Sequence, residues 1–189
     1  TNHGIASLAG VLHANGHEMD LMHVSEKYRP VPSSAEIIEH IRRTNPGLVD
    51  FSVMSQQYEW VVEQSRAIRN AIPELVQVIG GVHCTMVPDE VHKSKLFDYV
   101  CVGEGDWALL ELMNALAEGK KPHTLSNFRS WMGNVPVANP VAPFPDLSNL
   151  PPLDYNVFDM PAVMKETRGW MSILTSRGCP YKCTYCFNI

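Results

Sequence analysis

Charge is scarce in this chain, and no stretch of it is basic. Of 189 residues only 19% are Asp, Glu, Lys or Arg, with 15 basic against 20 acidic side chains and a formal net charge of −5. Phosphate backbones are gripped by clustered Lys and Arg, so nucleic-acid binding is excluded as the main activity. No apolar run reaches the ~18–20 residues that a membrane span needs. The opening Thr1-Asn2-His3-Gly4 has no basic n-region, so no signal peptide is expected. Paired cysteines are lacking too. There are five (Cys84, Cys101, Cys179, Cys183, Cys186), an odd number with three in the last eleven residues. A secreted disulfide framework does not look like this, so a reducing, cytoplasmic setting is expected. The apolar fraction of 45% excludes disorder as the main state.

What is present is alternation. Ile5, Leu8, Ala9 and Leu12 fall on one helical face, and Asn15-Gly16 stops that helix. Glu18 to Val24 reads as a strand. Ser33 and Glu36 have capping-box spacing ahead of Ile37, Ile38 and Ile41. Leu48 to Met54 is a strand, followed by a helix with Tyr58, Val61, Val62, Ser65, Ile68 and Ile72 on its inner face and Pro73 at its end. Val76 to Ile79 is a strand ending in Gly80-Gly81. Pro88 suits the first turn of a short helix. Asp98 to Val102 is a strand ending in Gly103-Glu104-Gly105, after which Asp106 can cap a helix carrying Leu109, Leu112, Met113 and Leu116, with Gly119 as its stop.

This order predicts an α/β fold with a doubly wound, flavodoxin-like (Rossmann-like) parallel sheet over 1–118. Ligands of such sheets bind at the carboxyl ends of the strands. Those ends carry Ser52 and Ser55, Gly80-Gly81, and Gly103-Glu104-Gly105. The chain opens on a helix, so the central first strand of a flavodoxin-like order is expected either to precede the chain or to be replaced by another segment. Residues 119–168 hold eight of the fourteen prolines. They read as a linker with a small hairpin, Phe128 to Met132 and Val135 to Ala138, and an extended stretch from Pro140 to Pro161. Trp170 to Thr175 reads as a strand leading into Cys179-x-x-x-Cys183-x-x-Cys186.

Three thiolates this close can converge on one inorganic centre. Structural zinc wants four ligands, usually as two C-x-x-C knuckles, whereas three cysteines on a [4Fe–4S] cluster leave one iron open for chemistry. A coincidental group of free thiols is the third possibility. The stretch Ser176-Arg177-Gly178-Cys179-Pro180-Tyr181-Lys182-Cys183-Thr184-Tyr185-Cys186-Phe187-Asn188 resembles the radical S-adenosylmethionine signature. The resemblance implies that Cys179, Cys183 and Cys186 hold a [4Fe–4S] cluster whose open iron chelates S-adenosylmethionine, with Tyr185 near the adenine. It also implies that 169–189 begins a partial (β/α) barrel.

Upstream, Ile79-Gly80-Gly81-Val82-His83 with Pro88, then Val102-Gly103-Glu104-Gly105-Asp106, and the helix from Gly4 to Leu12, resemble the cobalamin-binding domain that precedes many such barrels. By that resemblance Ser52, Ser55, Gly80, Gly81, Val82, His83, Gly103, Glu104 and Gly105 contact cobalamin. Glycine lets backbone approach the ligand closely, the serines donate hydrogen bonds, and Glu104 accepts them from corrin amides. Plainer roles compete: helix capping for the serines, a tight turn for the glycines, and complementing a helix N-terminus for Glu104. Of the D-x-H-x-x-G pattern that ligates cobalt in methionine-synthase-type domains, only His3 remains, a weak cobalt-ligand candidate.

Cys84 and Cys101 read as buried hydrophobes, and Met19, Met22, Met54, Met113 and Met171 as core filler. The remaining histidines (His13, His17, His23, His40, His92, His123) have no metal spacing. The expected function is a cobalamin-dependent radical S-adenosylmethionine enzyme that methylates or cyclises an unactivated carbon through a 5′-deoxyadenosyl radical. Such an enzyme takes a small-molecule or peptide substrate and a low-potential electron donor, with neither nucleic acid nor membrane as partner. The rival is a non-enzymatic corrinoid carrier or sensor. A receiver domain is disfavoured because the strand ends lack paired aspartates.

Overall fold

The computed structural model describes residues 2–25 and 30–186. Helix α1 (His3–Ala14) starts where the Asn2 side chain accepts a hydrogen bond from the Ile5 amide, and it buries Ala6, Ala9, Val11 and Leu12. Helix α2 (Ser34–Thr44) has the capping box that its sequence spells, with Ser33 and Glu36 bonded reciprocally, and it ends at Asn45 with φ 47°. Then follow β1 (Leu48–Ser52), α3 (Tyr58–Ala71), β2 (Val76–Gly80), α4 (Val82–Met86), α5 (Pro88–Lys93), β3 (Tyr99–Cys101), α6 (Asp106–Ala117), β4 (Phe128–Met132), β5 (Val135–Ala138) and α7 (Met160–Glu166). None of the helices is long and apolar enough to cross a membrane, among the described residues.

The five strands form one sheet in the order β1-β2-β3-β4-β5. β1, β2 and β3 are parallel, while β3–β4 and β4–β5 are antiparallel. Asp98 fixes the start of β3: its carboxylate accepts from the Gln77 amide at 2.8 Å and from Arg69 at 2.6 Å. One sheet face packs Val76, Val78, Tyr99 and Cys101 against Val11 and Leu12 of α1 and Leu109 and Leu112 of α6. The other packs Ile79 and Val100 against Tyr58, Val61 and Val62 of α3, Cys84 of α4 and Val91 of α5. Helices therefore cover both faces, as the alternating pattern predicts.

Several expectations are corrected. Residues Glu18 to Val24 form no strand; Met19 and Met22 pack on the core without a neighbouring backbone to pair with. Trp170 to Thr175 is likewise irregular and exposed, for the same want of a ladder partner. β1 pairs directly with β2, so among the described residues no other segment replaces the central first strand. Met54 and Met171 are exposed rather than core filler. The hairpin is present, but it extends the main sheet through β3.

The proline-rich stretch is not a free linker. Around residues 152–158 it lies across α1 as a strap. The Asp154 amide donates to the Ala6 carbonyl at 2.8 Å, the Asp154 carboxylate pairs with His13 at 2.7 Å, and the Tyr155 hydroxyl meets His3 at 2.8 Å. Phe158 is buried beside His23. The crossing is close enough that a Cβ on Gly10 would lie 2.2 Å from the Pro152 carbonyl oxygen. Gly10→Ala should therefore lift the strap and cost about 1–3 kcal/mol of stability. Urea unfolding measures it, and an unchanged midpoint would remove the strap from the folded core.

Candidate functional site

Parallel alignment puts the carboxyl ends of β1, β2 and β3 on one edge, and backbone bonds stitch them together. The Val53 amide donates to the Gly80 carbonyl at 3.0 Å, and the His83 amide to the Val53 carbonyl at 3.1 Å. Gly81 has φ 94°, and a Cβ there would sit 2.8 Å from the Val53 nitrogen and 2.9 Å from its oxygen. The glycine is thus required by the neighbouring strand's own backbone. Gly80 is less constrained, its virtual Cβ meeting only the Cys101 Cβ at 3.4 Å.

Thr85 links the second and third ends. Its hydroxyl donates to the Gly81 carbonyl at 3.2 Å and accepts from the Gly103 amide at 3.0 Å. Asn127, buried and with φ 68°, donates to the Val102 and Glu104 carbonyls, both at 3.0 Å, and so holds the Gly103-Glu104-Gly105 turn from beneath. Neither residue is singled out by local periodicity. An Asn ahead of the hairpin is the only sequence hint of that buried staple.

His83 is buried against the Tyr58 ring, with centroids 4.3 Å apart and the planes tilted by 36°, and its Nδ1 lies 3.1 Å from the Ser55 hydroxyl. Its Nε2 is enclosed without a partner, a position that favours a polar contact from outside. Ser52 and Ser55 are exposed. Around these groups the segments after the three strands expose large apolar side chains: Met54 after β1, Val82 and Met86 after β2, and Trp107 after β3. Apolar side chains exposed at a strand-end edge are unfavourable in water unless something covers them. A rim of this kind with a few hydrogen-bonding groups inside suits a broad ligand with apolar and amide faces.

Glu104 and Asp106 are engaged by Arg177. The guanidinium donates to both Asp106 oxygens, at 2.6 and 3.0 Å, to the Ser7 hydroxyl at 2.7 Å, and to the Glu104 carboxylate. Ser7 in turn donates to Asp106. Asp106 is the first residue of α6 and forms no side-chain cap, contrary to its expected role. Burial pushes its carboxyl up, but the Arg177 and Ser7 hydrogen bonds outweigh that and hold it below the ordinary carboxylate range. Pairing with Asp106, against the opposing effect of burial, raises the Arg177 guanidinium.

Cys84 and Cys101 are buried, and burial pushes the Cys84 thiol up to about 12 and Cys101 higher still, so both remain neutral thiols. Cys179, Cys183 and Cys186 lie exposed in an irregular loop, with a turn closed by the Cys186 amide on the Cys183 carbonyl. Among the described residues no three His, Cys, Asp or Glu side chains converge as a metal site. Tyr185 is 91% exposed. Thr1, Phe187 and Asn188 lie outside the described residues. His3 is bonded at both ring nitrogens, to Tyr155 and to Ser172 at 3.0 Å, so it serves the strap and is not placed as a cobalt ligand.

Residues 1–113 match the B12 binding domain family. The chain belongs to that family. As a B12-binding domain it has cobalamin as its cofactor, and the apolar rim with the unpartnered His83 nitrogen fits that ligand. The chain is 24% identical over 155 residues to an uncharacterised methyltransferase of Pyrococcus horikoshii, covering 80% of this chain and 34% of that protein. It is 24% identical over 190 residues to the anaerobic magnesium-protoporphyrin IX monomethyl ester cyclase of Rubrivivax gelatinosus, covering 96% and 34%. The fold resembles that of the cobalamin-dependent S-adenosylmethionine radical enzyme OxsB, solved with aqua-cobalamin and S-adenosylmethionine bound, with a TM-score of 0.80 and 21% identity over 98% of this chain and 26% of OxsB. The chain thus spans about a third of the length of these curated relatives.

The depressed Asp106 carboxyl sets a pH dependence. Its contribution to folding is fully present above the unfolded Asp value of ~3.9 and is lost as pH falls through the lower folded value. Asp106→Asn should remove that acid-side loss and, by leaving Arg177 half-paired, cost up to about 3 kcal/mol near neutrality. Urea unfolding of both proteins between pH 2 and 7 measures it, and parallel pH profiles would refute the assignment.

Proposed function

We propose that this chain is the cobalamin-binding and cysteine-loop portion of a radical S-adenosylmethionine enzyme that methylates or cyclises an unactivated carbon. The observation that carries the reading is the joining of two features in one chain. A B12-binding domain presents an apolar rim at its strand ends, and three exposed cysteines, spaced x3 and x2, follow Arg177, which is bonded to that same edge. Relatives with a methyltransferase and a cyclase among them support the choice between these two outcomes without separating them.

In this reading Ser52, Ser55, Val82 and His83 contact cobalamin directly, while Gly80, Gly81, Gly103 and Gly105 give the loops their shape. The donor set of Cys179, Cys183 and Cys186 suits a [4Fe–4S] cluster with one open iron, and Tyr185 is free to pack on a nucleoside. Cluster, S-adenosylmethionine and cobalamin together supply radical carbon chemistry, and the protein supplies binding, orientation and exclusion of water. A low-potential electron donor, a small-molecule or peptide substrate and a cytoplasmic setting complete the proposal.

A corrinoid-binding carrier or sensor is the second reading, since a B12-binding domain serves that role without a cluster. Anaerobic reconstitution separates the two. The enzyme reading expects about four iron and four sulfide per chain, and an absorbance shoulder bleached by dithionite. Both signals should be lost in C179A, C183A or C186A. Cobalamin bound with no iron retained would leave only the carrier.

The rim has its own test. Val82→Asp, at an exposed position, should weaken hydroxocobalamin binding about tenfold, since it places a charge where apolar contact is expected. An unchanged Kd in an absorbance titration would move the ligand away from this edge.

A further inference from the structure

We propose that Arg177 is a positioning residue: it sets the cysteine loop in place against the cobalamin-facing edge, with Ser7, Glu104 and Asp106 as its receptor. The inference rests on the cobalamin and cysteine-loop assignments above.

The geometry is specific. From residue 168 to 186 every described residue is exposed except Arg177. Ser172 touches His3 of α1 near the start of this stretch, and next to the cysteines the loop is moored where the Arg177 side chain turns inward. That side chain lies two residues before Cys179, so the Cα of the first cysteine is held within about 7 Å of the Arg177 Cα. The receptor is drawn from three separate places: Ser7 from α1, Glu104 from the turn after β3, and Asp106 from the start of α6. The Asp106 side chain is 4% exposed and that of Arg177 20%, so water does little to screen this pair.

The planar guanidinium matches the arrangement in a way an ammonium does not. Its two terminal nitrogens address both Asp106 oxygens at once, while Nη1 also reaches Glu104 and Nη2 also reaches Ser7. Glu104 is the link to the cofactor. It sits between Gly103 and Gly105 in the turn that Thr85 and Asn127 hold at the strand ends. A ligand that orders this turn also orders the receptor for Arg177, and through it the approach to Cys179. By linkage, anything that seats the cysteine loop favours the cobalamin-facing conformation of the turn.

Backbone 15N relaxation of the full 189-residue chain, iron-free and with or without hydroxocobalamin, tests this, since it reads loop order where the amides of residues 176–179 donate no hydrogen bond among the described residues. In the unsubstituted chain the cofactor should raise the order parameters of residues 176–179. Arg177→Ala should lower them to below about 0.6, the flexible range, and should abolish the cofactor-dependent rise. Order in β2 should stay unchanged, and Arg177→Lys should restore part of the lost order. Wild-type order parameters at 176–179 in Arg177→Ala, or a rise on hydroxocobalamin that persists in it, would overturn the proposal. If Arg177→Ala loosens β2 as well, Glu104→Gln decides: lower order at 176–179 supports the mooring and no change overturns it. Because no iron is present, failure of the cysteines to bind a cluster leaves this result untouched.

Discussion

Parallel pairing of three short strands is the constraint on which the rest depends. β1, β2 and β3 are only five, five and three residues long. Because they run the same way, three loops far apart in sequence emerge on one edge. The edge is then locked by bonds that are not part of the ladder: Val53 to Gly80, His83 to Val53, Gly103 to Thr85, and Asn127 to Val102 and Glu104. A sheet this small leaves little ladder to resist fraying. The cross-loop bonds make the edge a rigid floor, and the apolar side chains of Met54, Val82, Met86 and Trp107 rise from a surface whose backbone is already satisfied.

Helix α1 does a second job that its core face alone does not explain. Val11 and Leu12 pack under the sheet, while Ala6, Gly10 and His13 receive the strap and Ser7 reaches the Arg177 cluster. Small residues make this possible, since Ala6, Ser7, Ala9 and Gly10 let chain pass close on more than one side. The proline-rich stretch needs no ladder of its own. Prolines lower the entropy lost on ordering, and a few hydrogen bonds to α1 suffice to define its path. The cysteine loop is thus delivered by a fixed route over α1 before Arg177 seats it.

What was legible in the sequence was local. The Ser33–Glu36 capping box, the β-branched runs of the strands, the glycines at their ends and the two-residue turn of the β4–β5 hairpin announce themselves within windows of a few residues. The candidate site followed, because strand ends in an α/β pattern are binding edges by topology. What was illegible was long-range and polar. Arg177 and Asp106 lie 71 residues apart, and no periodicity relates them. Asp106 looked like a cap because it precedes a helical stripe, yet a cationic partner out-competes the local amide for its oxygens. Glu18 to Val24 and Trp170 to Thr175 have strand-like composition, but a strand is made by a neighbour, and the fold offers them none. In sequence Gly81 reads as room for a ligand, whereas the nearest atoms that a Cβ there must clear belong to Ser52 and Val53.

The Arg177 cluster also bears on why charge sits here at all. A partly buried ion pair is a weak source of net stability, since desolvation consumes much of the Coulombic gain. An apolar contact between α1, α6 and the cysteine loop would hold at least as well. It would not fix orientation. Two oxygens of one carboxylate meeting two nitrogens of one guanidinium define a plane, and the Ser7 and Glu104 contacts fix rotation within it. In the proposed reading, a loop that presents thiols at a set position relative to cobalamin gains more from such directional bonds than from apolar contact. The acidic pair also keeps the arginine from straying: a cation left loose at an apolar rim would otherwise compete for the amide and hydroxyl acceptors that line it. In this account the placement of the few charges in a charge-poor chain follows from geometry rather than from stability.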